Sequence, residues 1–446
     1  MRRRFVASTV ILSCLCGALA SGCAGGGSSG TNVAAAIPAG GGLAAARAPR
    51  SGTRRTSSVP SCSGSGTGSF VGGGFENVAA GAYSGVLEGN SNEVCDEESS
   101  VGGGYYNFVS SGDNTSYYSW IGSGYDNSIS GNGYQSVIGG GNVNALTAPN
   151  SVIGGGNQNT LSGADSVIAG GSNNTLSSAA TYAFIGGGGT NAGSAEYGVT
   201  GGGNSNTVSG EYGVIGGGNT NTVSGSAAVI GGGQGNYAEG TYATVPGGYD
   251  NNAAGELSFA AGFKSYARYA GSFVWSDYSS SGTLLESTAA NQFLARATGG
   301  FTFWTNAANS VGATLAPGSG TWASASDRNL KTDVARIDDA AVLDKVASLP
   351  ISRWSYKSER GVRHVGPMAQ DFYAAFGVGE DDKHITSIDE DGVALAAIKA
   401  LHAENVRLRG VTLSQSAQIA ALQGSQARQE RRLERLSAAL AALRTR

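Results

Sequence analysis

A period of fifteen residues narrows the fold of this chain more than any other feature. From Ser136 it reads SVIGGGNVNALTAPN, SVIGGGNQNTLSGAD and SVIAGGSNNTLSSAATY, and the frame persists to ATVPGGYDNNAAGEL. The repeat anchors are Val137, Val152, Val167, Phe184, Val199, Val214, Val229, Thr244 and Phe259, with looser copies near Phe70, Ser100 and Trp120. Such self-similarity marks a stack of like units that bury one another. Fifteen residues are too few for two packed helices, whereas β-branched pairs between Gly-Asn turns suit short strands. The expected fold is mainly β, a parallel β-roll or β-helix fibre over residues 69–275. Each rung has one strand at Ser-Val-Ile, a glycine turn, a second strand near Asn-Thr-Val and a Ser-Gly turn.

Adjacent strand residues point to opposite faces, so the Val and Ile of each rung place apolar groups on both. One fills the roll, and the other needs a cover that a neighbouring chain of a homo-oligomer supplies. Asn157, Asn159, Asn204 and Asn206 recur in register and are expected to stack as amide ladders at the turns.

Composition excludes several alternatives. The chain has 74 glycines and 8 prolines without a Gly-X-Y period, which rules out collagen. Between Arg55 and Lys264 there are acidic residues and no Lys or Arg, which argues against nucleic acid or another polyanion as a partner. No Gly-Lys-Ser/Thr follows the glycine clusters, so they are not phosphate loops. Asp126 and Asp250 are isolated, and the period is not nine, which sets calcium-binding nonapeptides aside. No cofactor or metal is expected. Glu196, Glu211 and Glu239 fall at loosely equivalent repeat positions, which fits a solvated edge better than the unique carboxylate pair of a glycan hydrolase.

The N-terminus carries Arg2, Arg3 and Arg4, an apolar run from Phe5 to Ala20, and then small residues, the pattern of a signal peptide over 1–22. Leu19-Ala20-Ser21-Gly22-Cys23 resembles the lipobox of bacterial lipoproteins. That resemblance implies acylation of Cys23 and an exported chain, lipid-anchored at the bacterial outer membrane or cell surface. Residues 23–68 read as a low-complexity linker. Cys62 and Cys95 remain as an even pair, a candidate disulfide in an exported protein, with no zinc spacing.

Residues 276–322 read as a β connector with Phe301, Phe303 and Trp304 in a small core or, alternatively, as an aromatic sugar platform. Charged residues become frequent from Ser326, and a small α+β domain is expected over 323–397. From 398 to 446 a heptad places Ile398, Asn405, Thr412, Ile419, Gln426, Leu433 and Leu440 at position a. Leu401, Leu408, Gln415, Leu422, Gln429, Leu436 and Leu443 take position d. This predicts an oligomeric coiled coil, a trimer by the resemblance given below, whose polar layers fix register and partner number. The alternative is one amphipathic helix folded onto its own domain.

Two stretches resemble known families. The rungs are similar to the heads of trimeric autotransporter adhesins, left-handed parallel β-rolls around a threefold axis. The segment with Ser326-Asp327, Lys331, Trp354, Arg363-His364-Val365-Gly366 and Ala369-Gln370-Asp371, ahead of a heptad helix, resembles the intramolecular chaperone of phage endosialidases and tail fibres, serine peptidase family 74. Pro367 and the FGVGEDD loop depart from its pattern. The resemblance implies a homotrimer that cuts itself at Ala325–Ser326, with Ser326 as nucleophile, Lys331 as base, and Asp327, His364 and Gln370 in support. Two readings stand beside it: a non-enzymatic adhesin or spacer that binds a host-surface or glycan receptor, and a solenoid glycan hydrolase.

Overall fold

The structure is a computed structural model and describes residues 62, 65–111, 117–279 and 282–444. These form two units that divide at Gly300.

The first unit is a β-solenoid of about 13 turns over residues 70–276. Each turn contributes one short strand to a 16-stranded sheet and one to a 14-stranded sheet. Strands of successive turns pair in parallel, Val137 with Val152, Val152 with Val167 and Val167 with Phe184, and so on to Phe259. All nine anchors therefore lie in one ladder. A copy at Gly85–Val86 also belongs to it, although glycine at the anchor hides it in the sequence.

The pleat separates the two apolar residues of each strand. Ile138, Ile153, Ile168 and Ile185 are fully buried, as are Leu146 and Leu161 from the second sheet, while Val137, Val152 and Val167 stay half-exposed. Fully burying one such side chain is worth about 1.5–3 kcal/mol. The rest of the interior is polar and repetitive. One asparagine per turn, from Asn77 to Asn251, accepts at its side-chain oxygen from the next turn, in most turns from the backbone N–H and side-chain amide of the next asparagine. Asn159 donates through N and Nδ2 to Asn144 Oδ1, both at 3.0 Å, and through Nδ2 to the carbonyls of Gly155 and Gly171. Buried amides persist only where they are satisfied in this way.

This refines the expected ladders. Asn159 and Asn206 stack inside the roll, whereas Asn157 and Asn204 bridge to their counterparts on its outside. A second internal ladder runs through serine hydroxyls: the N–H groups of Ser119, Ser136, Ser151, Ser166 and Ala183 each donate to the preceding rung's Oγ. It ends where alanine and glycine replace serine. Of the three glycines per turn, the third is dictated by the chain itself. Gly218 has φ +95°, and a Cβ there would lie 2.2 Å from the Gly233 carbonyl oxygen of the next turn.

Residues expected as a connector divide in two. Leu285–Glu286 and Phe293–Arg296 extend the parallel sheets beyond the regular repeat. Asp277 holds these last turns together. Thr298 donates to its Oδ2 through both the N–H and the hydroxyl, each at 2.7 Å, and Ser279 Oγ donates to Oδ1. Those bonds, with help from Arg296, lower its carboxyl pKa to about 2. Because the folded value lies below the unfolded one, this stabilisation is complete above about pH 4 and is lost as the pH falls through about 2. Thermal melting should therefore separate wild type from Asp277→Asn near neutral pH, and the two curves should converge toward about pH 2.

In the second unit, Phe301–Trp304, Gly312–Leu315 and Trp322–Ser324 form an antiparallel sheet. The expected core of Phe301, Phe303 and Trp304 does not form within one chain. Strand alternation puts Trp304 on the opposite face from the other two, and Phe303 and Trp304 remain 58% and 49% exposed.

Helix α1 (Asp339–Ser348) starts at Asp338, whose Oδ1 accepts from the N–H groups of Ala340 and Ala341. Ser352–Trp354 and His364–Gly366 make a two-stranded sheet. Helix α2 (Ala369–Phe376) ends at Gly377 in the left-handed conformation. Helix α3 (Ser387–Arg444) opens where the Thr386 hydroxyl and the Asp389 carboxylate and N–H bond reciprocally. Only Ala396, Ala397 and Ala400 of α3 are buried, so the described helix does not fold back along its length.

Candidate functional site

Ser326 stands two residues past the end of an edge strand, Trp322–Ser324. Ala325 still donates its N–H to the Gly312 carbonyl at 3.2 Å, so the Ala325–Ser326 bond lies where the chain leaves the three-stranded sheet. Asp327 then caps a single 3-10 turn, Arg328–Leu330, with its Oδ1 accepting from Asn329 N at 2.9 Å and from Asn329 Nδ2 at 3.1 Å. Lys331 closes that turn by donating its N–H to the Arg328 carbonyl. The consequence is a contact between side chains five residues apart: Lys331 Nζ lies 2.7 Å from Ser326 Oγ. Both residues are exposed in the single chain. Asp327 thus acts on the turn that positions Lys331, and its described hydrogen bonds go to Asn329.

His364 belongs to a different cluster. Its ring stacks on Trp354 at 4.6 Å and meets Tyr356 edge-on at 5.6 Å, and its Nε2 lies 3.6 Å from Glu359 Oε2. Trp354 and His364 face each other because they are register partners in the two-stranded sheet. Nε1 of Trp354 and Nε2 of His364 are buried atoms with no hydrogen-bond partner among the described residues. Gln370 lies exposed in the first turn of α2. No hydrogen bond among the described residues joins His364 or Gln370 to the Ser326–Lys331 pair. Asn329, Tyr356 and Glu359 carried no sequence signal, because none stands in a recognisable spacing.

A groove between α1 and α3 is lined by Ile337, Asp338, Leu343, Lys399, Glu404 and Arg407, and Lys399 pairs with Asp339 across it. None of the expected site residues lines it.

In the first unit, Cys62 and Cys95 are joined by a disulfide, and Glu93 Oε1 accepts from the Cys62 N–H at 2.5 Å. With their sulfurs bonded to each other, the two cysteines and Glu93 offer no thiolate pair to a metal ion. Cys23, the signal segment and most of the linker lie outside the described residues. No described helix is long and apolar enough to cross a membrane.

Among the repeat carboxylates, Glu196 and Glu211 occupy equivalent turns. Glu239 follows Ala238 as Ser224 follows Val223, and so belongs to another row. Tyr182, Tyr197 and Tyr212 stack at 5.0 and 4.9 Å with nearly parallel rings. Their faces are turned onto one another, whereas a sugar platform presents faces to solvent. Burial of their rings, followed by the neighbouring glutamates, raises the phenol pKa of Tyr197 and Tyr212.

No curated protein matches the chain. The exposed serine, the capped turn that returns a lysine to it and the paired strands with Trp354 and His364 all fall within residues 326–377, which match the peptidase S74 family, chaperone of endosialidase.

Proposed function

We propose that the chain is an exported, lipid-anchored homotrimeric fibre whose C-terminal domain aligns three copies and then removes itself by cutting Ala325–Ser326. The observation that carries this reading is the 2.7 Å contact between Lys331 Nζ and Ser326 Oγ beside that bond. Ser326 Oγ adds to the Ala325 carbonyl carbon and gives its proton to the lysine amine. Collapse expels the Ser326 amino group, which takes a proton and leaves Ala325 esterified to Oγ. Water then hydrolyses the ester to an Ala325 carboxylate and the Ser326 hydroxyl, which separates a fragment whose N-terminus is Ser326. The carbonyl is part of the same chain, so tethering replaces substrate binding, and serine-lysine pairs are a known variant of this chemistry.

A lysine acts as base only when it has lost its proton, and burial favours that form. In one chain Lys331 stands in water, and the heptad stripe of α3 is open, with Leu422 and Leu443 about 70% exposed. Packing three such helices as a coiled coil covers the stripe, and assembly that also covers the dyad makes cutting follow trimerisation. The exposed pair favours one competing reading, a spacer whose terminal domain trimerises without cutting. N-terminal sequencing of fragments in purified protein decides between them: a fragment beginning at Ser326 supports the cut, and a trimer that stays full length opposes it.

A further inference from the structure

The outer faces of the two solenoid sheets differ along their length. On the larger sheet the outward residue of each turn is apolar through Val137, Val152, Val167, Phe184, Val199 and Val214, and no charged residue faces outward between Phe70 and Phe293. On the smaller sheet the equivalent residues include Thr160, Thr175, Ala192, Thr207 and Thr222, with Glu93 and Glu286 near the ends. Apolar patches beyond a few hundred Å² are uncommon on a protein that stays alone.

At some turns the middle glycine that borders this apolar stripe has no explanation within one chain, whereas Gly155, Gly187, Gly202 and Gly247 have φ between +143° and +158°, where glycine is favoured. At Gly170 and Gly217 an added Cβ would meet nothing within 4 Å, and at Gly232 only a carbonyl at 4.0 Å. None of the three has a left-handed φ. The same position holds Glu88 and Ser123 two turns apart, so the fold itself accepts a side chain there. Glycine repeated without an internal cause is what close approach by another backbone requires.

The occupant follows from the periodicity. A straight row with one apolar group about every 4.8 Å is matched, turn for turn, by a surface with that same repeat, which is a second copy of this ladder. Thirteen turns at that spacing extend about 60 Å, and a strip about 12 Å wide covers roughly 700 Å², close to the ~800 Å² per partner of a standard stable interface.

We infer that copies of the solenoid pack through the outward face of the larger sheet and its border of middle glycines, with the threonine face of the smaller sheet turned away. This rests on the homotrimer proposed above. Nitroxide labels on Val214→Cys or Thr222→Cys in the full-length assembly test it by spin-spin distances, with the unsubstituted protein as label control. Label distances should be shorter for Val214→Cys by roughly 15 Å, given sheets about 10 Å apart around a threefold axis. The reverse order in a protein whose native mass is that of a trimer overturns the assigned face alone. A native mass of one chain overturns the trimer, and the face with it. As a second arm, Gly217→Glu should dissociate the assembly while preserving its β circular dichroism, since the fold accepts Glu88 at that position in a turn outside the apolar run from Val137 to Val214; Thr222→Glu should leave it intact. Unchanged assembly in Gly217→Glu overturns the inference.

Discussion

Ser326→Ala is expected to leave every chain at full length while the protein still assembles, and Lys331→Met should slow the cut by at least ~10³-fold. The alanine removes the hydroxyl that serves as nucleophile in the proposed cut, and the methionine keeps the stem but removes the group 2.7 Å from that oxygen. Neither side chain is buried, so neither change disturbs packing. Asp327→Ala should behave differently. It deletes the cap that receives Asn329 N–H and so loosens the turn carrying Lys331. Cutting should slow by a smaller factor, about 10-fold, and Asp327→Asn, which retains an acceptor, should recover most of it. Time courses of the fragment on denaturing gels measure all four variants. An alanine variant that still yields a fragment beginning at Ser326 would remove the serine from the mechanism.

The largest loss of stability is expected from Asn206→Leu. Asn206 donates through N and Nδ2 to Asn191 Oδ1 at 3.0 and 3.1 Å, and through Nδ2 to the Gly202 and Gly218 carbonyls at 2.9 and 3.0 Å. Its Oδ1 accepts from the backbone and side chain of Asn221. Leucine strands buried donors and acceptors on both neighbouring turns, each worth about 1–3 kcal/mol, so a total near 4 kcal/mol or more is expected. Coupling in a solenoid is mainly between neighbouring turns. The damage should therefore appear as faster hydrogen exchange at Asn191 and Asn221 before it reaches distant rungs. Asn204→Leu, two residues away and exposed, should stay within about 0.5 kcal/mol of wild type. Equal effects at the two positions would contradict the internal ladder.

The same pair of asparagines shows how far the sequence could be read. Strand anchors were legible because Val-Ile pairs at a fixed spacing leave parallel stacking as the economical way to bury them. Which asparagine of each Asn-x-Asn enters the roll was not legible, because both recur with the same period and the pleat and turn together decide it. The serine ladder was hidden for a related reason: Ser136 and Ser151 read as loop residues until the next rung's N–H groups are placed over them. Phe301, Phe303 and Trp304 looked like a core because their clustering is a composition signal, whereas their faces depend on the strand frame. At the site, the Ser326 to Lys331 spacing was legible from the resemblance, but what brings the two side chains together is the Asp327-capped turn, a local geometry with no long motif. His364 was grouped with the dyad on order in the chain alone. Its register partner Trp354 explains its place in the fold through pairing that one sequence does not display.

The central claim, a trimeric fibre released from its own C-terminal chaperone, is tested most directly by native mass spectrometry of the purified assembly followed by denaturation. The account predicts three solenoid chains, each ending at Ala325, and a separate fragment of residues 326–446. A native mass of one chain, or of three chains that denature to full length, would contradict it.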